Sequence, residues 1–425
     1  MKLNYKRTFL VGLAFMSITA FWNTYNPVIP LVLKNTFELS EVWQGVVMAA
    51  DNVLAVFLLP FFGSLSDKCK LKIGRRMPYI VVGTALATTL LMFLPLADYA
   101  KNLYAYIGIL FLILLAMGLY RSPAVSLMSD VTPKPLRSKA NSIINLMGAL
   151  GGVFSLMLLK FLVGKYPDGR NNYEMVYAVV ASFMLICVAI LLLTINERKL
   201  SKEVYANEEA IADVNDKVNE NLEGSKEAGG FKALSKEEQK SLLLILFSIF
   251  FWFVGYNAVE TNFTKYANVK WDSDIGAAAT CLMIATIGAV VSFVPVGIIA
   301  TKFGRKRTIQ VGIILLSSCF GLASFLGDFS YSYYLLFALV GVAWAAINVN
   351  SLPMVVEICK AKDIGKFTGY YYTFSMAAQI FTPIFCGFLI SIFGYDILMP
   401  YGAITVAISF ITITISKHGE AAKAK

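Results

Sequence analysis

The sequence predicts an all-α polytopic membrane protein, with twelve transmembrane helices in two pseudo-symmetric six-helix bundles. Three observations carry that expectation. Apolar runs of about 20 residues, enough to cross the hydrocarbon core of a bilayer, recur about twelve times. Hydrophobic residues make up 57% of the 425 and charged ones only 15%, with mean hydropathy +0.66. That is more apolar surface than a water-soluble fold of this length can hide. Finally, the basic loop Gly63 to Ile80, set between two apolar runs, returns much later as Gly297 to Arg307. Such repetition is common in multi-span transporters.

The runs occupy residues 8–33, 42–66, 78–97, 103–127, 140–163 and 173–195, then 240–265, 275–300, 308–327, 331–357, 366–392 and 396–416. The first follows Lys2, Lys6 and Arg7 without a small-residue cleavage site, so it reads as a membrane helix rather than a removed leader. Pro60 and Gly63 close the second run, as Pro295 and Gly297 close the eighth. Tyr25-Asn26 in the first is echoed by Tyr256-Asn257 in the seventh. The fourth ends in PAVSLMSD at Asp130 and the tenth in PMVVE at Glu357. These echoes predict a bundle over 1–195 and another over 240–425, related by an axis along the membrane normal, with the substrate path between them. Residues 196–239 are rich in Glu, Lys, Asn and Ala and contain a Gly-rich turn, Gly224 to Gly230. They read as a cytoplasmic tether with a surface helix around Lys202 to Asn221, a regulatory partner site being the alternative.

Lys and Arg collect at alternate ends of the runs. One set of ends carries Lys6, Arg7, the Gly63 loop, Lys134, Arg137, Lys139, Lys302, Arg305, Lys306 and Arg307, then Lys360, Lys362, Lys366, Lys417, Lys423 and Lys425. The other has Lys34, Lys101, Lys165, Arg170, Lys265 and Lys270, mixed with acids. Under the positive-inside rule both termini are cytoplasmic; the expected location is the plasma membrane, a cell's inner membrane. The formal charge of +10 suits loops facing anionic lipid, and no nucleic-acid module accompanies it. Six scattered cysteines form no CxxC pair, and the one histidine, His418, lies in the polar tail. Neither a disulfide framework nor a metal site is expected.

Charged residues inside a membrane helix are costly and face a cavity or a partner. Asp51, Arg121 and Glu260 fit that description, while Lys160 near a helix end is expected to snorkel. Asp51 lies near mid-membrane, where burial favours its protonated form, so it can carry a proton; the alternative is a packing acid bonded to Asn52. Arg121 needs an anion, carbonyl oxygens or a sugar hydroxyl, and Asp51 is its most attractive partner. Glu260 reads equally as a substrate contact, a proton carrier, or a surface partner of Lys265. Trp22, Asn23, Tyr25, Asn26, Asn145, Tyr256, Asn257, Asn348, Asn350 and Gln379 form the candidate substrate site, with Asn141, Trp252 and Trp344 nearby in the pattern. Amides and aromatic faces suit a sugar, which offers hydroxyls at its rim and C–H groups on its faces. Helix packing is the alternative for each.

Gly63-x-x-x-Asp67-Lys68, closing with Gly74-Arg75-Arg76, resembles the signature loop of the major facilitator superfamily. Its longer spacing, Ser66 to Ile80, is similar to the sucrose transporter branch, the glycoside–pentoside–hexuronide:cation symporter-like proteins. The match continues through Pro123, Ala124 to Asp130, Thr132, Pro133, Arg137 and Ala140-Asn141. The resemblance implies a major facilitator fold, a secondary transporter without cofactor, and symport of a glycoside or small saccharide with a proton, Na⁺ being left open. It implies a monomer, with the lipid bilayer and a small sugar as its partners. It also implies a cytoplasmic gate at Gly63, Asp67, Gly74, Arg75, Arg76, Asp130, Arg137, Arg305 and Glu357. One departure stands out. The branch carries an acid and an arginine eleven residues apart in the fourth helix, and those positions are Leu114 and Val125 in this sequence. The alternative function is a proton-coupled exporter of amphipathic compounds. An enzyme is not expected, since no catalytic cluster or phosphate loop is present.

Overall fold

Backbone groups in hydrocarbon have no water to bond, so a crossing segment satisfies them internally, as a helix. The computed structural model describes residues 3–132, 136–204, 231, 234–271, 275–358 and 364–419, apart from the side chains at 60, 137–139, 141–142, 275, 301 and 364–366. Its helices are α1 (Tyr5–Asn35), α2 (Glu41–Asp67), α3 (Met77–Leu91), α4 (Leu94–Tyr99), α5 (Leu103–Asp130), α6 (Arg137–Phe161) and α7 (Glu174–Thr194). They continue as α8 (Lys236–Lys270), α9 (Ile275–Phe303), α10 (Arg305–Ala323), α11 (Ser332–Val356), α12 (Ile364–Phe393) and α13 (Leu398–Ile415). A two-residue hairpin, β1 (Gly164–Lys165) and β2 (Asn171–Asn172), joins α6 to α7.

Each helix lies within a few residues of the apolar run that predicts it. The third run divides into α3 and α4, with Pro95 in the first turn of α4, where its missing N–H is tolerated. α8 starts earlier than the hydropathy does, because Ser235 and Glu238 form a reciprocal capping box. The start of the 196–239 segment is helical over 197–204, while 205–230 and 232–233 lie outside the described residues.

Ten of these segments are long and apolar enough to cross a membrane, with α3 and α4 taken as one. The protein is an all-α polytopic membrane protein. α1 and α10 fall outside those ten for separate reasons. α1 carries Trp22-Asn23-Thr24-Tyr25-Asn26 at its middle, and α10 opens on Arg305-Lys306-Arg307 in a helix of only 19 residues.

The chain forms two compact units. The first comprises Met1–Tyr25, Asn35–Phe37 and Val53–Ser225. Within it α3 packs on α5 and α7. The approach is close: a Cβ on Gly83 would lie 2.8 Å from the Tyr120 amide nitrogen of α5. The fully buried Tyr120 hydroxyl reaches back to the Ala14 carbonyl at 2.9 Å, tying α5 to α1. At the far end Arg170, in the turn of the hairpin between β1 and β2, bonds Asp98 (3.2 Å) and Thr36 (3.1 Å). Its guanidinium also holds the exposed Asp168 carboxyl below the usual carboxylate range.

The second unit comprises Asn26–Lys34, Glu38–Asn52 and Lys226–Lys425. Here α8 packs on α12 and α13, α9 on α11, and α10 on α11 and α13. The α10 contacts mirror those of α3, as an internal repeat requires. Trp252, Phe263, Phe320, Tyr333 and Phe367 are fully buried in its core.

Candidate functional site

The Gly63 loop folds around two arginines. Gly74 has φ +129, a left-handed conformation that glycine adopts freely, and it turns the chain into α3. Arg75 then reaches Asp130 with Nη2 at 2.8 Å, and Arg76 reaches the same carboxylate with Nε at 2.9 Å. Arg76, only 5% exposed, also donates to the Gly63 carbonyl, Ser66 and Asp67. One arginine thus ties the end of α2, the end of α5 and the start of α3 together. Planar guanidinium forks suit such shared recognition better than lysine would. The repeat copy is thinner. Gly304 again has positive φ (+98), and Arg305 pairs with Glu357 at 2.7 Å. The Arg137 side chain lies outside the described residues.

In the first unit Trp22 packs edge-on against Phe21 and Tyr25, with the Arg121 guanidinium 5.9 Å from its ring centroid. Tyr25 is buried, and Arg121 is exposed on α5. The Asn23 amide donates to the Thr19 carbonyl on its own helix, and Asn145 is exposed on α6. Lys160 is also exposed, lying over Phe161, in keeping with snorkelling. Asp51 belongs to the second unit, as does Asn26. Its Oδ1 accepts from the Asn52 backbone N–H (2.6 Å) and side-chain amide (2.7 Å). The bond to Asn52 expected of a packing acid is therefore present.

On α8, Phe253, Tyr256, Asn257 and Glu260 are spaced three and four residues apart and share one face. The Tyr256 ring stacks on Trp344 of α11, centroids 3.8 Å apart and planes 8° off parallel, while Phe253 meets Trp344 edge-on. The Asn257 Nδ2 is buried without a partner. The half-buried Glu260 carboxylate makes no hydrogen bond or ion pair among the described residues. Asn348 is half-buried one turn beyond Trp344, whereas Asn350 is 3% exposed and donates to the Ala346 carbonyl. Gln379 likewise donates to its own helix, at the Ser375 carbonyl. Of the tryptophans, Trp252 is a core residue, 0% exposed, and offers no face to a solute.

Two clusters were missed by sequence reasoning. Glu197 is 1% exposed and accepts hydrogen bonds from the backbone N–H groups of Arg75 (2.8 Å), Arg76 (2.9 Å) and Met77 (2.8 Å). It caps α3 from beyond the end of α7. Lys265, which one of the three readings of Glu260 set beside it at a surface, is buried and pairs with Glu41 at 2.8 Å. A lysine and a glutamate at the ends of apolar runs gave the available signal, but nothing in their spacing joins them.

A model of the Major Facilitator Superfamily matches residues 11–271 and 270–424. The chain is similar to an uncharacterized MFS-type transporter of Methanocaldococcus jannaschii, 23% identical over 95% of this chain and 93% of that protein. It is also similar to the sucrose transport protein SUC3 of Arabidopsis thaliana, 24% identical over 28% of this chain and 23% of that one. A solved bacterial homologue of the human drug peptide transporters PepT1 and PepT2 shares the fold, with TM-score 0.70, 15% identity, and coverage of 97% of this chain and 98% of that one.

Proposed function

The chain belongs to the Major Facilitator Superfamily, and from that premise we propose that it is a proton-coupled symporter of a glycoside or small saccharide. These relatives are transport proteins, so the protein is a membrane-embedded solute transporter with a non-catalytic role. In this reading twelve spans form two six-helix bundles, over 1–195 and 240–425, joined by the 196–239 linker and working by alternating access. Both termini face the cytoplasm and the transporter acts as a monomer in the plasma membrane.

One observation carries the sugar reading: the stacked Tyr256–Trp344 pair beside an unpartnered Asn257 amide and the Glu260 carboxylate. An aromatic face takes the C–H side of a pyranose, while an amide and a carboxylate take its hydroxyls. The local similarity to a sucrose transport protein supports the same class. Trp22, Asn23, Tyr25, Asn26, Asn145, Asn348, Asn350 and Gln379 complete the proposed substrate set, and Asp51, Arg121 and Glu260 the coupling set. The Arg75–Asp130–Arg76–Asp67 cluster and the Arg305–Glu357 pair serve as cytoplasmic gates.

Uptake of labelled disaccharides into proteoliposomes under an imposed pH gradient is the test. Accumulation that collapses with the gradient is expected. No uptake and no sugar binding, together with drug-dependent proton leak, would replace this reading with an amphipath exporter.

A further inference from the structure

At the Gly63-loop end, the first unit carries six exposed cations with no acid to neutralise them. Lys68, Lys70 and Lys72 stand on the loop, and Arg198, Lys199 and Lys202 on the short helix over 197–204. That helix follows α7 and is capped by Asn196, whose side chain accepts from the Lys199 amide at 3.1 Å. Glu197 joins the two basic segments across 122 residues, because its carboxylate accepts from the backbone of Arg75, and of Arg76 and Met77 after it. Both segments belong to the first unit. The acids nearby are already engaged: Asp67 with Arg76, Asp130 with Arg75 and Arg76, Glu197 with those amides, and Glu203 with Arg7 at 3.7 Å. Among the described residues none of the six cations makes an ion pair or a side-chain hydrogen bond. In the repeat loop, by contrast, Arg305 pairs with Glu357 and Lys306 donates to the Thr414 and Ser416 carbonyls.

Crowded like charges repel, and an anion shared among them relieves that repulsion. The surroundings say which anion. The apolar helices α2, α3 and α7 all have ends here, so the patch lies at the membrane boundary. Leu71 and Ile73, set between and beside the lysines, are 58% and 50% exposed. A soluble phosphate would answer the charges and leave both apolar side chains in water. A lipid answers both, since lysine stems lie along acyl chains while their heads stay in the head-group layer, and apolar side chains sink beside them. We propose that this composite patch binds the phosphate head group of an anionic phospholipid, with Leu71 and Ile73 set into the acyl boundary. The site rests on the protein being embedded in a membrane and is independent of which solute it carries.

The test is equilibrium binding of fluorescent phosphatidylglycerol and phosphatidylcholine to the purified full-length protein in neutral detergent. Phosphatidylglycerol should bind at least about tenfold tighter. Changing Lys68, Lys70 and Lys72 together to Gln should bring that preference down to within about threefold, and so should changing Arg198, Lys199 and Lys202. Lys302→Gln with Arg307→Gln, exposed cations of the repeat loop, should leave it unchanged. Leu71→Asn with Ile73→Asn keeps every charge and should still weaken phosphatidylglycerol at least about threefold. Equal binding of the two lipids, or an equal loss in the repeat-loop variant, would overturn the site, the second because any surface cation would then serve. Displacement of the lipid by glycerol 3-phosphate at equal concentration would also overturn it, in favour of a soluble phosphate. Should a triple variant fail to fold, raising salt from about 0.1 to about 0.5 M on the unaltered protein must erase the preference, and its persistence refutes the proposal. Absence of sugar uptake would leave this readout unaffected, so the two proposals fail separately.

Discussion

Asp51 and Glu260 are both acids in apolar helices, yet they are held differently. Asp51 is bonded to the backbone and side chain of Asn52, while Glu260 has no bonding partner among the described residues. A carboxylate at membrane depth persists when it is protonated or paired, and a proton carrier alternates between the two. If Asp51 is the coupling group, Asp51→Asn abolishes pH-driven accumulation, from about tenfold per pH unit for one coupled proton to none, while downhill exchange survives. The accumulation ratio at imposed gradients measures this. Retention of normal pH dependence moves the coupling role to Glu260, and Glu260→Gln then shows that same loss. The tryptophans divide in a similar way. Replacing Trp344 by Ala should weaken solute binding, measured by equilibrium binding to the purified protein, because it removes the stacked face beside Tyr256.

At the scale of elements, the loop between α2 and α3 is a joint held by side chains from three helix ends. If they form the proposed gate, Asp67→Asn and Arg75→Ala should lower the maximal transport rate more than apparent affinity, since a gate residue biases a conformational equilibrium without touching solute. A large affinity loss at unchanged maximal rate would remove the gate assignment. Gly74 is constrained twice, by its positive φ and by the Glu197 carboxylate where a Cβ would sit. Gly74→Ala should therefore destabilise the protein by about 1–3 kcal/mol, seen as a lower unfolding midpoint in detergent. Gly304, at the same place in the repeat loop, shares the positive φ.

For the whole molecule, the alternating positive charge predicts an orientation with both termini in the cytoplasm. A cysteine at Asn171, in the β2 strand, should label from outside, and one at Lys72, in the Gly63 loop, only from inside. Reverse accessibility would invert the topology. Membership of the Major Facilitator Superfamily and an all-α polytopic fold are readable in the sequence, because the signature loop, apolar runs and basic loops are local properties imposed by the thickness and charge of a bilayer. The resemblance to the superfamily's signature loop implied that Arg75, Arg76 and Asp130 meet at neighbouring helix ends, where the structure pairs both arginines with Asp130.

Distant pairings were another matter. Lys265 and Glu41 are separated by 224 residues, and Glu197 and the Arg76 amide by 121. Hydropathy describes how far a segment runs through the membrane and says little about the angle at which its face meets another helix. Trp252 and Trp344 looked alike as flat apolar faces, yet helix rotation buries the first in the core and stacks the second on Tyr256. Length, helicity and charge asymmetry were thus determined by the sequence read locally. Which charges are buried together, and which rings and amides remain to meet a solute, was decided only by the packing of helix against helix.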